Sequence, residues 1–187
     1  MNNQSYRSNS KKITVAALLT AFGILIPIMM PFKLIIGPAS YTLGSHIPIN
    51  IAMFSSTGVG IVTALGTTIG FLLAGFPIVI TLRALSHVLY IAVGSFILSK
   101  NQTLLAKTST RSIFNLIINF IHGVGEVIVV YLMTSGDIAT QDDYFYTLFV
   151  LVGIGTIIHG FIDTELSYQI TKLIQQRTNI KITNLEL

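Results

Sequence analysis

The stretch from Pro77 to Leu98 (PIVITLRALSHVLYIAVGSFIL) constrains this chain more than any other. It is apolar and long enough to cross a bilayer, since about 20 residues rising roughly 1.5 Å each span the hydrocarbon. Yet it carries Arg83 and His87. An arginine at that depth costs several kcal/mol, so it faces a bundle interior, a water-filled cavity, a counter-ion or a ligand. Arg83 and His87 are four residues apart and share one helix face. The chain must therefore fold so that other segments enclose this face, which makes it a candidate ligand wall.

The rest of the sequence agrees with a membrane setting. Of 187 residues 52% are hydrophobic and only 10% charged, and the mean hydropathy is +0.76, outside the range of ordinary soluble domains. Six crossings with short connections use nearly the whole length, so residues 1–187 read as a single all-α transmembrane domain with no room for a soluble catalytic unit. The net charge of +4 does not signal nucleic acid. Nine of the eleven basic residues fall in three clusters (Arg7, Lys11, Lys12; Lys100, Lys107, Arg111; Lys172, Arg177, Lys181), each flanking an apolar segment. The positive-inside rule reads these as cytoplasmic ends, with membrane lipid as the surrounding partner. Both termini are then cytoplasmic, residues 1–12 and 171–187 being tails, in a multi-pass protein of the cell membrane. The absence of cysteine excludes disulfides and thiolate metal sites.

Along the chain, Ile13–Met30 is the first crossing, with a strip of Ala16, Ala17, Thr20 and Ala21 smooth enough for another helix to approach. Whether that strip packs within the chain or against a partner is open at this point. Pro31–Gly44 contains two prolines and two glycines and reads as a broken external loop or re-entrant segment, either a gate over a pocket or a plain packed loop. Ser45–Ser56 is too short to cross as a straight helix without its flanks. Val59–Phe76 has Gly66, Gly70 and Ala74 at the small-xxx-small spacing of tightly packed membrane helices, and Gly75-Phe76-Pro77 turns the chain sharply. Ser99–Ser112 is a basic cytoplasmic connection. Ile113–Thr134 and Thr147–Ile170 are the last two crossings, joined by an external loop containing Asp137, Asp142 and Asp143.

Three i, i+4 pairs sit inside these segments: Arg83 with His87, His122 with Glu126, and His159 with Asp163. Counting from the outer ends of their helices places Arg83 about 9 Å and Glu126 about 12 Å deep, level enough to pair. They form either a buried ion pair that sets helix register, or a site where the Arg83 fork receives a ligand carboxylate. His122 and His159 lie close enough in depth to approach each other. With Asp163 they read as a polar network, or as a transition-metal site of imidazoles and carboxylates, although no compact metal motif such as HExxH is present. Ser86 beside His87 is not a nucleophile–base arrangement, because adjacent helical residues diverge. With no Walker or GxGxxG motif, any energy for transport comes from a partner.

Several of these features together resemble the substrate-binding S components of energy-coupling factor (ECF) vitamin transporters. They are the six short helices in under 200 residues, the broken segment after the first helix, and the AxxxA pattern in Ala17-Leu18-Leu19-Thr20-Ala21. The stretches ITVAALLTAFGILIPIMMP, PASYTLGSHIPINIAMF and AGFPIVITLRALSHV resemble the niacin-type members. The resemblance implies a compact six-helix bundle with no catalytic function and no cofactor, binding a vitamin at its extracellular end. It would work with a scaffold transmembrane subunit and two ATPase subunits. It implies that Ala17 and Ala21 touch the scaffold, that Pro31–Gly44 covers the pocket, and that Tyr41, Arg83, His87, His122, Glu126 and His159 contact substrate. Asp163 and Glu165 lie too far toward the cytoplasm for the ligand and take a packing or docking role. Niacin leads as substrate, while a carboxylate on Arg83 equally suits pantothenate, biotin or folate. A proton-coupled carrier built on Glu126 and Asp163, or an intramembrane metal-binding protein or enzyme built on the histidines, are the readings from other classes.

Overall fold

A computed structural model describes residues 3–36, 38–135, 143–178 and 182–187. Asp137, Asp142 and Lys181 lie outside the described residues, as does the side chain of Arg7. The described chain holds six helices and a β-hairpin: α1 (Asn3–Met29), β1 (Lys33–Ile36), β2 (Ala39–Thr42), α2 (Ile47–Ser55), α3 (Thr57–Leu73), α4 (Ile78–Lys100), α5 (Thr108–Thr134) and α6 (Gly155–Thr178). A π-helical segment, Tyr146–Ile154, leads directly into α6. Four helical stretches are long and apolar enough to cross a membrane: Asn9–Met29, Ile78–Lys100, Thr108–Thr134 and Tyr146–Thr178. At 17 residues α3 is just short of that length. With nine residues α2 rises only about 14 Å, roughly half the hydrocarbon thickness.

The outcome differs from the sequence reading in three places. The expected N-terminal tail is helical from Asn3 and continuous with α1. The chain after α6 is not a free tail, because Gln175 Oε1 accepts the Ile182 and Thr183 amides, and the Thr183 hydroxyl donates to the Phe54 carbonyl. The Pro31–Gly44 segment is an antiparallel hairpin with Lys33 opposite Thr42 and Ile36 opposite Ala39. Prolines 31 and 38 disfavour helix here, and pairing two strands satisfies backbone groups that a bare loop would leave open.

Packing runs α1 on α3, α3 on α4, α4 on α5 and α5 on α6, with α2 set among α1, α3, α4 and α6. Every residue from Pro48 to Phe54 of α2 is buried. A helix apolar on all sides belongs at the centre of a bundle. Ser56, in extended conformation, ends α2 and caps α3 by accepting the Val59 amide at 3.4 Å. Gly75, at φ 77°, makes the turn into α4 that few other residues adopt. Small residues set the α1–α3 distance. Added Cβ atoms at Gly66 and Gly70 would run into the side chains of Thr20 and Ile24.

Candidate functional site

The polar side chains that the sequence scatters over four segments meet in one place. Arg83 is 5% exposed and Glu126 3%, and Arg83 Nη2 donates to Glu126 Oε2 at 2.7 Å. Helices α4 and α5 are adjacent over their length, so residues at equal depth on facing sides must meet. The second guanidinium nitrogen, Nη1, donates to the Pro38 carbonyl at 2.9 Å and to Ser40 Oγ at 3.3 Å, which ties the hairpin to α4. Nε is buried and has no hydrogen-bond partner among the described residues. Glu126 also accepts the Thr156 hydroxyl at 2.6 Å from α6 and lies 3.1 Å from His87 Nε2. One carboxylate therefore joins α4, α5 and α6.

Below it lie the chain's four histidines, in edge-to-face contact. His46 sits against His87, His122 and His159 at centroid separations of 4.9, 4.8 and 4.9 Å, and His87 against His122 at 4.7 Å. The expected approach of His122 to His159 is thus made through His46, which the sequence reading did not single out. Its signal was available, since His46 and Asn50 repeat the i, i+4 polar spacing of the other pairs within an otherwise apolar run. Asp163 lies beside His46 and His159, and its carboxylate accepts the Gly44 and His46 amides at 2.9 and 3.0 Å and faces His46 Nδ1 at 3.2 Å. It thereby fixes the turn that leads into α2. Glu165 is elsewhere, paired with Arg111 at 3.1 Å.

Tyr41 reaches the same region from β2. Its hydroxyl donates to the Leu151 carbonyl in the π-helical segment, and its ring lies 5.6 Å from that of His159. Gly155 is what admits it, because a Cβ there would overlap the phenol. Burial raises the phenol above its ordinary value against the field of Arg83, so it remains a proton donor. Deeper, Asn50 links Tyr90 and Thr164, and Asn119 links Asn115 and Thr164. This layer is a satisfied network with no access to the cavity.

Between the hairpin, α2, α3, α4 and α6 lies a cavity of about 550 Å³. Arg83, His87, Glu126, His46 and His159 form its polar end. Ile49, Val79, Ile80 and the stacked rings of Phe71 and Phe76, 4.6 Å apart, supply much of its apolar lining, and Lys33, Ser40, Thr42, Ser45 and Thr67 line it as well. A small flat molecule with one anionic end matches that division. His122 is fully buried behind His46 and His87 and does not line it. Ala17 and Ala21 are away from this region and exposed, whereas Ala16 of the same strip is buried against Ala52 and Val59. The strip therefore splits between an inward and an outward face.

In sequence, the chain is similar to the niacin transporter NiaX of Lactococcus lactis subsp. cremoris (strain MG1363), with 37% identity over 180 residues, 96% of this chain and 81% of that protein. No family model matches the chain, and no solved structure matches it.

Proposed function

The chain belongs to the family of the niacin transporter NiaX, and from that premise we propose that it is the substrate-binding S component of an ECF-type importer, capturing niacin or a similar small aromatic carboxylate at the extracellular side. It is a multi-pass membrane protein of transport, not an enzyme. The observation that carries the substrate reading is the 550 Å³ cavity whose lining includes both Arg83 and the stacked rings of Phe71 and Phe76. The Arg83 guanidinium, held by Glu126 and the Pro38 carbonyl, supplies the positive charge that a ligand carboxylate would meet at this end of the cavity. The ring of the ligand fills the space beside Phe71 and Phe76, and His87 and His159 offer nitrogens to its polar edge.

In this reading the six helices all serve as crossings. The nine-residue α2 completes its passage by being buried inside protein, where backbone need not face lipid. The hairpin is the external cover, latched by Tyr41 and Arg83, and both termini are cytoplasmic. The exposed Ala17 and Ala21 meet a scaffold transmembrane subunit, which two ATPase subunits drive. Calorimetric titration of the purified protein with nicotinate and with its neutral amide tests the assignment. Stoichiometric binding of nicotinate, at least tenfold tighter than the amide, is expected. Equal affinities, or no binding of either, would remove the carboxylate reading.

A further inference from the structure

The imidazole cluster holds an arrangement that recognition of an organic acid does not require. His46, His87, His122 and Glu126 are all buried, and one ligand-type atom from each lies within 4.8 Å of every other. Glu126 Oε1 is 3.1 Å from His87 Nε2 and 3.4 Å from His122 Nε2. Donors placed about 2.05 Å from a tetrahedral metal ion are separated by about 3.3 Å, so these two spacings are those of a coordination edge. His122 is the more telling residue. It is 1% exposed, yet neither ring nitrogen has a hydrogen-bond partner among the described residues, and leaving a buried polar atom unpaired costs about 1–3 kcal/mol.

The groups behind these donors are those that orient metal ligands. The Asp163 carboxylate faces His46 Nδ1 at 3.2 Å, which fixes the tautomer that leaves Nε2 as a lone-pair donor. Arg83 and Thr156 hold the other oxygen of Glu126, so Oε1 is turned toward the rings. The charge also allows a cation, because with neutral imidazoles the two carboxylates against one guanidinium leave a single negative charge in the cluster. We infer that His46, His87, His122 and Glu126 form a binding site for a divalent first-row transition-metal cation of the zinc class. His46, His87 and Glu126 also line the polar end of the cavity, with His122 behind them, so the site adjoins the place proposed for the substrate.

The test uses the full-length protein in detergent, stripped with a chelator and dialysed, then titrated with Zn²⁺ by calorimetry and with Co²⁺ by visible absorption. One ion per chain is expected, with the intense visible bands of four-coordinate cobalt and a raised thermal midpoint. Asp163→Asn should weaken Zn²⁺ binding 10- to 100-fold through loss of the carboxylate behind His46. His122→Ala should abolish the cobalt spectrum. Failure of the wild-type protein to bind either ion at one per chain overturns the inference, with no variant needed. So does an unaltered cobalt spectrum in His122→Ala protein that melts cooperatively. Nicotinate is titrated separately into the stripped protein. Binding there alongside failure of both metals sinks the metal site and leaves the transporter reading intact, and the opposite pair of results does the reverse.

Discussion

Two seams hold this molecule together by opposite means. Between α1 and α3 the helices meet because side chains are missing: Gly23, Gly66 and Gly70 face Thr67, Thr20 and Ile24 with no space for another carbon. Among α4, α5 and α6 they meet through charge and hydrogen bonds, with Glu126 taking Arg83, His87 and Thr156 at once. The first seam asks little desolvation of its members and depends on shape. In the second, three ions and four imidazoles are withdrawn from water, which a simple helix contact does not need. Expensive polar burial next to a cavity is therefore where binding is to be sought, and the small-residue seam is where close packing is found.

The largest test of that contrast is Arg83→Ala. Truncating one partner of a desolvated charge pair costs about 2–5 kcal/mol, or roughly thirty-fold to several-thousand-fold in nicotinate affinity by calorimetry. Glu126 loses its partner in the same variant, so the thermal midpoint should fall, and adding Glu126→Gln should restore the midpoint but not the affinity. Recovery of both in the double variant would mean that the pair serves register alone. Arg83→Lys should recover little of either, because an ammonium cannot occupy Glu126, Pro38 and a ligand with fixed geometry.

Next in size is Gly160→Val, which brings a shape requirement into the polar seam. A Cβ at Gly160 overlaps Asn119 Oδ1 and approaches His122 Nδ1 at 3.1 Å, and overpacking of this kind costs about 1–3 kcal/mol. A clear drop in thermal midpoint is expected, and no drop would mean that α5 and α6 are not held as close as their hydrogen bonds imply. Tyr41→Phe should act more weakly. It removes one hydrogen bond to Leu151, about 0.5–1.5 kcal/mol, and should raise the nicotinate dissociation rate several-fold in stopped-flow measurements. An unchanged rate would assign the whole latch to the Arg83–Pro38 contact. The smallest effect on the isolated protein is expected from Ala17→Leu with Ala21→Leu. Both positions are exposed, so stability and nicotinate affinity should stay within about 0.5 kcal/mol of wild type, while uptake in cells carrying the full transporter should cease. Loss of binding in that variant would show that the outward face of α1 packs internally after all.

Much of this was legible because bilayer physics leaves few options. An apolar run of sufficient length must be helical, and an ionisable group within it must face inward, so Arg83, His87, His122, Glu126 and His159 could be nominated from spacing alone. Equal depth made an Arg83–Glu126 pair one of the two alternatives that the sequence left open. The glycine spacing of α3 similarly announced a close helix contact without naming α1 as its partner.

What tertiary structure decided were the matters that local pattern does not encode. A proline-broken stretch excludes helix but does not choose between loop and hairpin. That choice depends on strands 33–36 and 39–42 finding each other, on Arg83 donating to the Pro38 carbonyl and on the Leu151 carbonyl accepting the Tyr41 hydroxyl. His46 sits in a segment too short to classify, and it became the hub of four rings only because α2 is buried among α1, α3, α4 and α6. Sequence periodicity records which face of a helix turns inward. Which other face it meets is set by the packing of the whole bundle.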